Sequence, residues 1–275
     1  MNVCIDGKFF PADASLLTVQ NRSYKWGDGF FETAKVFQRK FLLEELHFER
    51  LFTSLTLLQI EKELSFTQSS LIAQSLQLCD QNNCSQLARV RLAVYRKEDN
   101  SAGYTIEALP LEEDVNQWHG EGQEIVLYPF VRKSTDAFAN IKSANYLPYI
   151  MAQRYAIEKK ADDALVLNSQ NFLCDSSKAN IFLIKGNGVY TPAIHQGCVN
   201  GVMRRLVIEE VKKLGYRMHQ DVIDEAQLLA ADEVFLTNAI QIIRWVEYYK
   251  GTQFGFTQTR RIFDAVSATI FRGHC

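Results

Sequence analysis

The chain has 275 residues, is 47% hydrophobic and 23% charged, and carries a formal net charge of −2. That length supports a sizeable core and two domains, and the composition excludes a disordered or fibrous chain. A near-neutral balance argues against a dedicated nucleic-acid binder and leaves room only for a local cationic pocket. No apolar run approaches membrane-spanning length and the start, MNVCIDGKFF, lacks a signal-peptide core, so a cytoplasmic protein without membrane association is expected. Cys4, Cys79, Cys84, Cys174, Cys198 and Cys275 are scattered without C-x-x-C spacing, and His47, His119, His195, His219 and His274 form no metal constellation. Reduced, mostly buried thiols and no metal follow.

In chain order, residues 3–10 read as a hairpin turning at Asp6-Gly7. Gly27-Asp28-Gly29 is a tight turn into a strand at 30–37; with no helix after it, the G-x-G is a weak phosphate signal. Leucines and phenylalanines at helical spacing predict a helix over 43–60, with Arg50 in its middle, and a second covers 67–79. Arg50 is either solvated or aimed at an anion, which its planar fork suits. In the strand 87–95, Arg89 and Arg91 alternate with apolar residues and give one cationic face, with 103–108 as its partner. Residues 111–120 are acidic and polar, the best linker candidate.

Beyond the linker come a strand at 124–131, the stretch FANIKSANY (138–146) around Lys142, and a helix at 146–160. Strands at 164–168, 172–174, 180–184 and 189–191 form a meander, interrupted by Asp175-Ser176-Ser177. Taken alone, Asp175 reads as a turn residue; a carboxylate placed for a partner is the other reading. The helix 202–214 has Arg204 and Arg205 in its first turn, against the helix dipole. An anion on the backbone N–H groups of Val202 and Met203 would relieve that, and a mild surface mismatch would need no relief. A mixed segment at 225–231, a strand at 233–236, Thr237-Asn238-Ala239, an apolar stretch to Val246 and a helix at 258–271 complete the chain.

Lys142 sits among Ala139, Ile141, Ser143 and Ala144. Alone it reads as a surface charge; partly desolvated, with a lowered pKa, it could form a Schiff base. Its company changes the balance. NRSYKWGDGFFET, HFERL with Arg50, IKSANY with Lys142, DSSKANIF with Asp175 and Asn180, GCVNGVMRR and DEVFLTNA occur in order over residues 21–239. Together they resemble the fold-type IV pyridoxal-phosphate enzymes, the class IV aminotransferases and their lyase branch.

The resemblance implies an α/β fold of two domains, a small N-terminal α/β domain (1–112) and a larger barrel-like α/β domain (121–275), joined by a linker at 113–120. It implies pyridoxal 5'-phosphate as cofactor, held covalently by Lys142, and a homodimer acting on a small molecule. Arg50, the N–H groups of Val202 and Met203, and Thr237 or Asn238 would bind the phosphate, with Asn180 alongside in its motif. Asp175 would pair with the pyridine nitrogen and keep it protonated. It stands where the family usually has glutamate, one methylene longer, so the loop moves inward or the contact is longer or water-mediated.

CVNGVMR and TNA resemble the lyase branch, which implies conversion of 4-amino-4-deoxychorismate to 4-aminobenzoate and pyruvate, a step of folate synthesis. An aminotransferase of branched-chain or D-amino acids is the alternative, and a non-catalytic cofactor-binding protein a remote one. Candidate substrate contacts are Phe31, Arg89, Arg91, Arg96, Tyr104 and Tyr146. Ala102 stands where lyases often carry arginine before the Gly-Tyr pair.

Overall fold

The computed structural model describes residues 1–272; His274 and Cys275 lie outside the described residues. It divides into two compact units, one comprising residues 1–115 with 141–145, the other 116–140 with 146–272. The division at 115/116 falls within the acidic segment, where Glu113–Asn116 forms a short 3-10 turn. The Lys142 segment, expected with the C-terminal domain, groups with the first unit.

The first unit is a six-stranded antiparallel sheet with helices packed on one face. Its elements are β1 (Asn2–Ile5), β2 (Lys8–Pro11), α1 (Arg22–Trp26), β3 (Gly29–Phe37), β4 (Lys40–Phe41), α2 (Glu44–Leu57), α3 (Gln68–Gln81), β5 (Leu87–Arg96) and β6 (Ala102–Pro110), in the sheet order β2-β1-β6-β5-β3-β4. The expected hairpin is β1–β2, and the expected 87–95 partnership is β5–β6. In β5, Ala88, Val90, Leu92 and Val94 are buried while Arg89 and Arg91 are half-buried, the period-two alternation of a strand with one face in the core. Phe48, Leu51 and Leu55 of α2 and Leu71 and Leu78 of α3 cover that face, and Thr67 starts α3 with a capping box to Ser70. The five-residue α1, capped by Asn21, was not expected; it is too short to show a period.

The second unit contains β7 (Gln123–Lys133), α4 (Leu147–Lys159), β8 (Asp163–Asn168), β9 (Leu173–Ser176), β10 (Asn180–Lys185), β11 (Gly188–Pro192), α5 (Val202–Lys213), β12 (Arg217–Asp221), α6 (Glu225–Leu229), β13 (Glu233–Asn238), β14 (Ile242–Tyr249), β15 (Thr252–Gln253) and α7 (Thr257–Ile270). Its mixed sheet runs β12-β11-β10-β13-β14-β7-β8-β9, with β15 on β14. The pairs β11/β12, β14/β7 and β7/β8 are parallel, and the others antiparallel. Every residue of β8 and β9 is buried, as expected for strands covered on both faces. Asp175 belongs to β9, opposite Val166, which overturns its reading as a turn residue. The described cysteines, Cys4, Cys79, Cys84, Cys174 and Cys198, are free and buried. Among the described residues no cluster of ligating side chains could hold a metal, and no helix is long and apolar enough to cross a membrane.

Candidate active site

In the first unit, strand parity sorts the side chains. Phe30, Ala34 and Val36 of β3 enter the core under α2 and α3. Glu32 shares their parity and is also buried, so a carboxylate stands on an apolar face. Burial by itself would raise its pKa. Arg50 and His47, one turn apart on α2, reverse that and hold it at about 2. Arg50 Nε donates to Glu32 Oε1 at 2.7 Å and Nη2 to Oε2 at 2.6 Å, a fork on a fork. His47 Nδ1 lies 2.7 Å from Oε2. Burial holds the His47 pKa down against the pull of Glu32, and the charges of Arg50 and Lys142 add to that. Arg50 is thus buried and ion-paired, and the solvated reading fails.

The opposite face of β3 carries Phe31 and Lys35. Phe31 N donates to Lys142 O, and Ala144 N to Gly29 O, both at 2.9 Å, so residues 142–144 lie along β3 like a short strand. This puts Lys142 Nζ 4.5 Å from the centre of the Phe31 ring. The Arg91 guanidinium stands 4.6 Å from the same centre, and two cations share one aromatic ring. Arg89 faces Lys35 in the β3–β5 register, and Arg91 also reaches Glu107 at 3.3 Å. Lys35 is almost wholly buried, and burial pushes its pKa down to about 7.

Two expected substrate residues lie elsewhere. Tyr104 packs on Phe66 in the helix-covered core and donates its hydroxyl to Gln74. Arg96 donates to Leu58 O and Gln59 O at the end of α2, to Asn100, and to Asp28 at 3.0 Å. It closes the C-terminus of a helix, where a cation meets the dipole.

In the second unit the groups gather around Asp175, 2% exposed. Its Oδ2 accepts from the Tyr149 hydroxyl at 2.7 Å, the Val199 amide at 3.0 Å and Lys133 Nζ at 3.1 Å. Oδ1 accepts from Asn180 Nδ2 at 2.8 Å, and the same amide donates to Val199 O. Burial, then the Asp175 charge, raises the Tyr149 pKa far above the phenol range, so Tyr149 remains a donor. Tyr146 stacks on Tyr149 at 4.6 Å and reaches Ser177 O at 3.4 Å. Asp163, fully buried, accepts from Ser176 Oγ and from Ser177 N and Oγ, which pins the end of β9.

Asn180 faces Thr237 across β10 and β13. It also lies against Gly201, where a Cβ would come within 2.0 Å of Asn180 Oδ1, so any larger residue would have to displace the Asn180 amide. Gly201 opens α5, whose start has no side-chain cap although Val202 and Met203 are buried. A buried helix start lacking a cap suits an anion. Arg204 is not a surface mismatch: it is buried, donating to Pro192 O at 2.9 Å and Gln220 at 2.8 Å. Thr237 Oγ1 donates to Ile242 O, and Asn238 Oδ1 accepts from Ile240 N and Gln241 N, shaping the β13–β14 turn. The second unit therefore joins Asp175, Asn180, Val202, Met203 and Thr237, while Asn238 serves the turn.

Glu32, His47, Lys35, Lys133 and Tyr149 were not singled out in the sequence. For Glu32 a signal existed, a charge at core parity within GFFETAKVF; Lys133 and Tyr149 reach Asp175 from 42 and 26 residues away and leave none.

The Amino-transferase class IV family model matches residues 29–248. The D-alanine aminotransferase of Bacillus licheniformis is 25% identical over 86% of this chain and 84% of its own length. The aminodeoxychorismate lyase of Bacillus subtilis is 24% identical over 86% of this chain and 83% of its own length. The crystal structure of a branched-chain aminotransferase from Thermoproteus uzoniensis, with norvaline, superposes with a TM-score of 0.87 at 22% identity, over 98% of this chain and 94% of that one, and shares its fold. With most of its length matched by that model, the chain belongs to the class IV aminotransferase family.

Proposed function

We propose that the chain is a pyridoxal-phosphate enzyme acting on a primary amine in an anionic substrate, and that it is the lyase converting 4-amino-4-deoxychorismate to 4-aminobenzoate and pyruvate. The observation that carries the reading is the Phe31 ring flanked by Lys142 and Arg91, with Lys35 and Arg89 on the same sheet face. An aromatic wall set among cations suits a ring-shaped dianion.

The second unit fits the cofactor. The uncapped start of α5 suits its phosphate, and Asp175 retains acceptor capacity on Oδ1 for a ring nitrogen. Arg50, fixed in orientation by Glu32, is assigned to the phosphate as well, with Thr237. When bound, the cofactor supplies an electron sink that loosens the proton on the substrate's amine-bearing carbon. Lys142 Nζ would hold the cofactor until the substrate amine displaces it, and the freed, neutral amine would then take that proton. Arg91 and Arg89 orient the substrate carboxylates, and Lys142 or the Tyr146 hydroxyl returns a proton to the departing pyruvate unit. Exposed Leu147, Ile150 and Met151 on α4 support assembly as a homodimer, which sedimentation would test.

A second reading, amino transfer from a D- or branched-chain amino acid, is favoured by the D-alanine aminotransferase likeness and by the engagement of Arg91 with Glu107. Paired assays separate the two: release of aminobenzoate and pyruvate from aminodeoxychorismate, against amino transfer from amino acids to 2-oxoglutarate. Transfer without release overturns the lyase.

A further inference from the structure

Asp175 is served by four close donors, and they are not alike. Tyr149, Asn180 and the Val199 amide are neutral, whereas Lys133, the last residue of β7, brings a charge. Its ammonium sits 3.1 Å from Oδ2 and 5.2 Å from the centre of the Tyr149 ring, with the side chain 11% exposed. Other titratable groups around Asp175 do not take its place. The Cys174 and Cys198 thiols are held protonated by burial and by Asp175 itself. The Arg204 charge also reaches Asp175, but no hydrogen bond joins the two: its Nη2 donates to Pro192 O and Gln220, and its buried Nε has no hydrogen-bond partner. No step derived above uses Lys133.

A carboxylate already paired with an ammonium pulls less strongly on a second cation. We propose that Lys133 is a charge-setting positioning residue that competes with the cofactor's ring nitrogen for Asp175. It neutralises the carboxylate in the cofactor-free protein and limits the proton affinity of the ring nitrogen in the loaded one. The inference rests on the reading above that Asp175 faces that nitrogen. It also gives the shorter aspartate a reason: its oxygens are shared between a resident cation and an incoming one.

The test compares the full-length wild type with Lys133→Met, which removes the charge at similar length, and Lys133→Arg, which retains it. Pyridoxal phosphate is titrated into each cofactor-free protein, and ring-nitrogen protonation is followed by NMR of labelled cofactor. Lys133→Met is expected to bind about tenfold more tightly and to keep the ring nitrogen protonated to a pH about one unit higher. Its cofactor-free thermal midpoint falls, so the rise on adding cofactor exceeds that of the wild type. Lys133→Arg matches the wild type. A merely structural lysine would lower the free and loaded midpoints together and leave affinity and ring protonation unchanged; that result overturns the proposal. Should Lys133→Met fail to fold, Lys133→Gln keeps a donor for Asp175 without the charge and is expected to shift both readouts the same way. If Asp175→Asn loses cofactor while every Lys133 variant binds as wild type, the inference falls and the functional reading stands. If the wild type binds no cofactor, both fall.

Discussion

Two buried carboxylates, one in each unit, solve the same problem differently. Glu32 is clasped by the Arg50 fork through both oxygens, with His47 on one of them. Asp175 meets one lysine on one oxygen and otherwise neutral donors. A planar guanidinium bonded twice is locked in orientation, whereas an ammonium on a flexible stem is a point charge that can yield to another cation. The first arrangement makes a strut that aims Arg50; the second keeps a seat open to exchange.

The widest break leaves both carboxylates intact. Lys142→Ala is expected to lower turnover by about a thousandfold or more with an unchanged thermal midpoint; near-normal turnover would remove the reactive amine from the scheme. Next, Glu32→Gln leaves Arg50 buried without its counter-charge and should cost ~3–5 kcal/mol in denaturant unfolding. Asp175→Asn keeps one acceptor oxygen for the Tyr149 hydroxyl and the Val199 amide and sets its NH2 against the Asn180 amide, and should cost ~1–3 kcal/mol. The reverse order would show that Asp175, not Glu32, is the rigid member.

The acid limb of the stability curve sharpens the contrast. The Glu32 pKa is about 2 in the fold against 4.5 as its ordinary value, so the unfolded chain takes up the proton first as pH falls. The stabilisation is whole above about pH 4.5 and fades as pH drops toward 2, a loss of ~3 kcal/mol. Glu32→Gln should flatten that limb.

The smallest effect concerns Lys35, whose pKa falls from 10.5 to about 7 through burial. Between those values the unfolded chain binds a proton that the fold does not, so stability rises with pH there; below about 7 both states are charged and the burial cost is full. Lys35→Met should stabilise the protein by ~2 kcal/mol near neutrality, a gain that shrinks toward pH 10.5. A gain independent of pH would mean that packing, not charge, explains it.

Much of this was legible in order and little in depth. The helix α2 announced itself by spacing, and β5 by alternation, because one-sided burial writes its period into the chain. Parity would also have separated Arg89 and Arg91 from Arg96: an odd offset on one strand points to the other face, where Arg96 is spent on α2. Motifs singled out Lys142, Arg50 and Asp175 as candidates, but not their surroundings. That Arg50 is clasped by Glu32, or that Lys133 occupies Asp175, depends on strands meeting across long stretches of chain, which no local pattern records.

The placement of residues 141–145 has a practical consequence for dissecting the protein. A gene split at the acidic segment would encode Lys142 with the C-terminal fragment, although its strand-like bonds are made to Phe31 and Gly29 of the other. The N-terminal fragment would expose a bare edge along β3 and the C-terminal fragment an unmatched loop. Neither half would be a faithful miniature, and recovery of turnover on mixing them would report complementation of that edge.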